Sequence, residues 1–466
     1  MANQRRSSCR SLLAAPCPLH TLIWLGAASF VLLAPSTLMG QGPVIPADVQ
    51  ESVRARIREG ISVGMVVALV DSSGVTYFAH GTRAVNDTTA VDEHSVYEIG
   101  SITKAFTGVL LAQMALHGDV QLDDPIERYL PDVAIPSRGR EITLRDLATH
   151  TSGLPRLPDN LTPADSSNPY ADYTVEQLHA FLGSHTLRRL VGAEYEYSNL
   201  GMGLLGYILA RRAGMSYEDL LRERILDPLG MTNTAIALTP DMTAHLVRGH
   251  SNGREVSNWD IPTLAGAGGL RSTAADMVTF VQANIGLIET PLRGAMDRSH
   301  VDEPGVVGPV GLGWHVSQEH DVRVVWHNGG TGGYRTFAGF DPVKGRGAVV
   351  LSNSNVSADD IGFHLLDPAR ELTPVRIGVA VDGRVLDEYV GAYELTPAFV
   401  LTIRRTAEGL SVQATGQPEF PIYAESETMF FLRVVDAQLE FVRDDSGAVG
   451  AVILHQNGRS QRAARR

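Results

Sequence analysis

Cysteine is almost absent from this chain: Cys9 and Cys17 are its only two in 466 residues, and both lie in the N-terminal leader. Without that leader the protein has no thiol. Disulfide scaffolds, cysteine-ligated metal centres and thiol nucleophiles are thereby excluded. Positive charge is also short, with 39 Lys and Arg against 52 Asp and Glu and a formal net charge of -13. No basic stripe interrupts this acidity, so nucleic acid is not an expected partner. Long hydrophobic runs are missing too. The most apolar segment, Thr21 to Ala34, is short for a membrane span. His245 and His250 have no ligand-like neighbours, so neither a metal nor another cofactor is expected.

What is present begins with an export signal. Arg5, Arg6 and Arg10 precede the apolar run, and small residues follow through Ser36 and Gly40. Residues 1–40 are therefore read as a signal peptide, with membrane contact only if it stays uncleaved. The remaining length exceeds one ordinary core. Residues 45–368 read as a mixed α/β domain, 369–385 as a linker and 386–466 as a small all-β domain. In the first domain, Val49 to Glu59 reads as a helix and Gly64 to Asp71 as a buried strand paired in a hairpin with Val75 to Ala79. Two apolar helices follow, one from Ser101 to a stop at Gly118 and one over Asn199 to Ala213 stopped at Gly214. Strand signals return at Val322 to His327, Thr336 to Asp341 and Gly347 to Ser352, before a helix over Ala358 to Leu366. In the β domain, Val400 to Arg404, Leu410 to Ala414, Phe430 to Val435, Leu439 to Arg443 and Ala451 to His455 read as strands of a meander or barrel.

Three polar words carry chemistry. Ser101-Ile102-Thr103-Lys104 stands at the head of an apolar helix, where residues three apart share a face. A serine hydroxyl is a weak nucleophile until a base takes its proton, and a desolvated lysine can be that base. The helix N-terminus also directs backbone N–H groups toward a developing oxyanion. Tyr197-Ser198-Asn199 precedes the second helix: Tyr197 suits proton transfer if a cation lowers its pKa, and Asn199 offers both a donor and an acceptor. His327-Asn328-Gly329-Gly330 ends a strand in glycines that let a backbone approach a ligand. Taken singly, each is an ordinary helix cap, aromatic loop or glycine turn. Gly60-Ile61-Ser62-Val63-Gly64 matches a nucleophile elbow but has its helix before and its strand after, the reverse of what that motif requires. His150 reads as a structural or pocket-wall residue rather than a base, Trp314 and Trp326 as packing, and Asp123-Asp124 and Asp359-Asp360 as helix starts or solvated charges.

In this order and spacing, with Thr149-His150-Thr151-Ser152-Gly153-Leu154-Pro155 between the first two, the motifs resemble the penicillin-recognising serine hydrolases. That group includes class C β-lactamases, D,D-carboxypeptidases, D-aminopeptidases and related esterases. The resemblance covers Val49 to Leu366. It implies an antiparallel sheet flanked by helices, a helical subdomain, and an active site between them, with no cofactor. It further implies that Ser101 forms an acyl-enzyme, that Lys104 and Tyr197 share the proton transfers, and that Asn199, His327, Asn328 and Gly329 bind substrate. The N–H groups of Ser101 and Gly330 would form the oxyanion hole. Many efficient β-lactamases carry lysine where His327 stands. Since histidine titrates near neutrality, peptides containing D-amino acids or small esters are the expected substrates, with a β-lactamase or a non-turnover penicillin-binding sensor as the rivals. The β domain resembles the lipocalin-like domains appended to some relatives. It would cover the site, bind an apolar ligand, or stabilise the enzyme. Oligomeric state is not legible.

Overall fold

The computed structural model describes residues 42–303, 309–407, 409–433, 435, 437–456 and 458–466; the segment read as an export signal, with both cysteines, lies outside them. Six strands make one antiparallel sheet: β1 (Gly64–Asp71), β2 (Gly74–Gly81), β3 (His315–Glu319), β4 (Val322–Gly330), β5 (Arg335–Asp341) and β6 (Arg346–Ser352). Their order across the sheet is β2-β1-β6-β5-β4-β3. Strand β1 shows why its sequence is an unbroken apolar run. Val66, Ala68 and Val70 enter the large core shared with the helical region, while Met65, Val67 and Leu69 enter a second core on the opposite face. A strand covered on both faces has no solvent side to mark by alternation.

Helices α1 (Ala47–Arg58) and α5 (Asp359–Leu366) supply the second core, through Val49, Val53, Ile361 and Leu365. The large core holds α2 (Thr103–His117), α3 (Asn199–Ala213) and α4 (Ala274–Ile285). Both glycine-stopped helices end as their sequences indicate. Gly118 and Gly214 take the left-handed conformation, with φ of 81° and 72°, that a side chain would resist. The start of α2 differs from the sequence reading. Gly100–Ile102 is a 3-10 turn, so Ser101 sits on a tight bend rather than within the α-helix, and Lys104 lies in the first α-helical turn.

The C-terminal region forms a closed antiparallel barrel of eight strands: β7 (Gly391–Thr396), β8 (Phe399–Arg405), β9 (Leu410–Ala414), β10 (Glu419–Ala424), β11 (Met429–Phe431), β12 (Ala437–Arg443), β13 (Val449–Gln456) and β14 (Arg459–Arg465). Pairing of Tyr393 with Arg465 and of Glu394 with Ala464 closes it. Helix α6 (Gly383–Tyr389) starts within the stretch read as a linker and sends Leu386 and Tyr389 into the barrel core. Tyr389 stacks on Phe441 at 4.0 Å, and Phe430 meets Phe441 edge-on at 5.3 Å. Aromatic side chains thus pack inside the barrel. The barrel also touches the first domain, where Arg433 donates to Glu59 at 3.3 Å. Among the described residues no helix is long and apolar enough to cross a membrane.

Candidate active site

Ser101 opens onto a cleft of about 570 Å³ bordered by Arg156, Tyr170, Tyr197, Asn199, Trp259, Gly330 and Arg335. The bend that presents it depends on glycine. Gly100 has a φ of 51°, and a Cβ there would lie 2.8 Å from the Gly330 nitrogen. The nucleophile turn and the end of β4 are therefore in backbone contact, which sets the Gly330 N–H beside Ser101. Gly329 is tighter still: its Cβ would meet the Ile99 carbonyl oxygen at 1.9 Å. One glycine of the turn and one of the strand thus allow the approach that a substrate oxyanion would use.

Lys104 is fully buried. Its Nζ lies 2.9 Å from Ser101 Oγ and donates to the Ala267 carbonyl at 2.6 Å. Burial, reinforced by the positive field of Arg156, drives its pKa well below the usual lysine range. A neutral amine with one hydrogen bond committed to Ala267 keeps its lone pair for the serine proton. Tyr197 departs from expectation. One neighbour is a cation, the Arg156 guanidinium 5.0 Å from the ring centre, and the neutral Lys104 amine lies 4.9 Å from it. Even so, burial outweighs its hydrogen bond to Ser101 and the Arg156 charge, and the pKa rises. Tyr197 is a neutral phenol that can give or relay a proton but does not wait as a phenolate.

Asn199 Nδ2 donates to the Tyr170 hydroxyl at 3.3 Å, while its Oδ1 is buried without a partner. A buried carbonyl oxygen left unpaired costs about 1–3 kcal/mol, so this oxygen is poised to accept an N–H from a ligand. The Thr331 hydroxyl is likewise buried and unpaired. Asn328 borders the cleft, and its amide nitrogen donates one hydrogen bond to Asp359 at 2.6 Å. Asp359 is a helix start, the first residue of α5, and is half-buried, its carboxyl pushed upward by desolvation. Asp124 is buried, accepting from Tyr129 and Arg128. Ser62 is buried against Ser352.

His327 is the main correction. It is 1% exposed and absent from the cleft wall. Its Nδ1 donates to the Asn328 carbonyl at 2.6 Å, leaving Nε2 as a buried acceptor with no partner. Desolvation, with His315 and Lys104 nearby, holds its pKa well below neutrality. The ring therefore carries no charge at pH 7 and cannot grip a substrate carboxylate as a cation. It lies beneath Tyr197, with ring centres 6.1 Å apart. His315, on the neighbouring strand, is also kept neutral, at about 4, chiefly by burial.

Arg156, Tyr170, Trp259 and His315 were not identified from sequence. Arg156 directly follows the His150–Pro155 word, and its carbonyl accepts from the Asn199 and Leu200 nitrogens. His150 is the structural residue of the two readings. It is a non-glycine residue at φ 59° whose carbonyl accepts from Glu196 N and whose Nδ1 accepts from Ser198 N at 3.1 Å. Those two bonds hold the residues on either side of Tyr197. His150→Ala is expected to lower the acylation rate about tenfold or more, since small misplacements at a reacting centre are costly. His150→Asn should recover most of that loss, because asparagine tolerates this backbone and offers an acceptor. Stopped-flow acylation of both variants checks the pair; equal rates would remove the positioning role.

The sequence matches the family model described as Beta-lactamase over residues 49–366, and that described as a domain of unknown function (DUF3471) over 376–465. It is 30% identical over 310 residues to the D-alanyl-D-alanine-carboxypeptidase/endopeptidase AmpH of Escherichia coli K12, covering 62% of this chain and 79% of that protein. Identity to penicillin-binding protein 4* of Bacillus subtilis is 24% over 436 residues, covering 86% of this chain and 94% of that protein. In fold, it resembles a β-lactamase/D-alanine carboxypeptidase from Pseudomonas syringae with a TM-score of 0.61 at 22% identity, over 70% of this chain and 98% of that one. With the family match spanning more than half its length, the chain belongs to the β-lactamase family of serine hydrolases.

Proposed function

We propose that this protein is an exported serine hydrolase that cleaves amide or ester bonds through an acyl-enzyme on Ser101, acting on D-amino-acid peptides or small esters. The observation that carries this reading is the wholly buried Lys104 amine, 2.9 Å from Ser101 Oγ and rendered basic in function by losing its own proton. Ser101 Oγ attacks the carbonyl carbon as Lys104 takes the hydroxyl proton. The resulting oxyanion is met by the N–H groups of Ser101 and Gly330, each such donor being worth about 3–4 kcal/mol in other hydrolases. The neutral Tyr197 phenol relays a proton to the leaving nitrogen or oxygen as the bond breaks. Water then reverses the sequence and frees the acid product. Asn199 Oδ1 receives an N–H from the acyl portion. All of this uses side chains and backbone alone.

The relatives' names favour a second reading, β-lactam hydrolysis, and one experiment separates the two. The mature protein is exposed briefly to benzylpenicillin, its intact mass measured, and penicillin loss followed in the same tube. A lasting adduct mapped to the Ser101 peptide is expected for a peptidase that deacylates penicillin slowly; the same adduct without turnover of any D-amino-acid peptide or ester marks a sensor. Rapid penicillin loss would favour the β-lactamase. An adduct on any other residue would overturn the assignment of Ser101.

A further inference from the structure

The charge of the cleft wall is one-sided. Among the described residues, two guanidiniums border it, Arg156 and Arg335, and no Asp or Glu does. The two are not equivalent. Arg335 donates to the Thr331 and Tyr334 carbonyls, and the half-buried Asp359 offsets its charge. Arg156 has no such compensation: among the described residues it forms no ion pair, and its exposed guanidinium rests over the Tyr197 ring. Its place is fixed by its backbone, whose carbonyl takes the first N–H groups of α3 at 3.0 and 3.2 Å. Arg156 therefore stands on the Asn199 side of the cleft, across from the Gly330 end of β4. With Lys104 neutral, the cation nearest the reacting serine on that side is Arg156.

We infer that Arg156 selects acyl donors carrying a carboxylate on the acyl side of the scissile bond, in the manner of a succinyl or acidic side-chain group. This deepens the proposed hydrolase reading and rests on Asn199 marking the acyl side. A guanidinium in a half-enclosed cleft attracts a carboxylate more strongly than one in open solvent and can bind it with two N–H groups. The same residue that repels a proton from Lys104 thus draws the anionic substrate, so recognition and base activation share one charge. A neutral acyl group of equal length gains only packing on Leu157 and Tyr170.

The test uses the mature chain with Ser101→Ala, so that binding is read without turnover. Affinities for N-succinyl-D-alanine p-nitroanilide and its N-acetyl counterpart are compared by calorimetry. The succinyl compound is expected to bind about tenfold tighter, the preference falling to near unity with Arg156→Gln and persisting in part with Arg156→Lys. It should also shrink as salt rises. Equal affinities, no binding of either compound, or a preference that survives Arg156→Gln would overturn the inference. The succinyl preference of kcat/KM in the Ser101 enzyme supplies the second readout. A preference in binding without hydrolysis of either compound would sink the hydrolase reading for such anilides while leaving the role of Arg156 intact.

Discussion

Lys104→Met is expected to lower acylation of Ser101 by about a thousandfold or more, the scale on which a positioned general base acts. Methionine fills the same buried space but cannot take the serine proton. The pH profile should identify the lysine as the base. In the parent enzyme acylation should be constant at neutral pH and fall on acidification, as the depressed pKa of Lys104 is crossed and the amine is protonated. The variant's residual rate should lack that limb.

Stability provides a separate check on the same group. In the unfolded chain Lys104 holds a proton up to about pH 10.4, whereas in the folded protein it has already lost it. Between those two pKa values the unfolded state binds the extra proton, so stability rises with pH. One proton corresponds to roughly 1.4 kcal/mol per pH unit. Unfolding of the parent and of Lys104→Met, compared at several pH values around neutrality, should therefore show the parent gaining on the variant by up to that slope. Parallel curves would mean that Lys104 stays charged when folded, and the proton-transfer scheme would fail with it.

The contrast between Lys104 and His327 shows what sequence could and could not disclose. Ser101 and Lys104 were legible because their spacing on a helical turn is a local property, and the apolar run behind them implied burial. Strand β1 and helix α3 were legible for the same reason: each is a continuous apolar segment with a clear stop. Charge state is not local. Whether a histidine titrates depends on what covers it, and His327 is covered by Tyr197 and His315, which are 130 and 12 residues away in sequence. Arg156 and Trp259 reach the cleft from loops whose local pattern says nothing of a shared wall. Strand β14, Arg459–Arg465, buries only Ala463, so its identity comes from pairing with β13 rather than from any apolar alternation. Edge strand β3 is polar and short, and it was missed on the same grounds.

Gly329→Ala should cost at least a hundredfold in acylation, although it adds a single methyl group to a residue that touches no substrate proton. The new Cβ would fall 1.9 Å from the Ile99 carbonyl oxygen and 2.3 Å from Thr336 Oγ1. Thr336 itself donates to that carbonyl at 2.9 Å, so the hydroxyl cannot move away without giving up a buried hydrogen bond. Relief must come from parting β4 and the nucleophile turn, and that displaces the Gly330 N–H from the oxyanion position. Loss of one such donor is worth about 10²–10³ in rate, and the overpacking costs about 1–3 kcal/mol of stability. Gly330→Ala is the informative control. The atoms nearest its Cβ belong to the Arg335 guanidinium, a side-chain end rather than backbone that would have to give up its bonds to the Thr331 and Tyr334 carbonyls, and the backbone N–H is retained. The adjacent substitution should therefore have a much smaller effect on both rate and melting temperature. If the two variants behave alike, the close approach of β4 to Ile99 is not what aims the oxyanion donor, and the donor's position must be set by the turn at Gly100 alone.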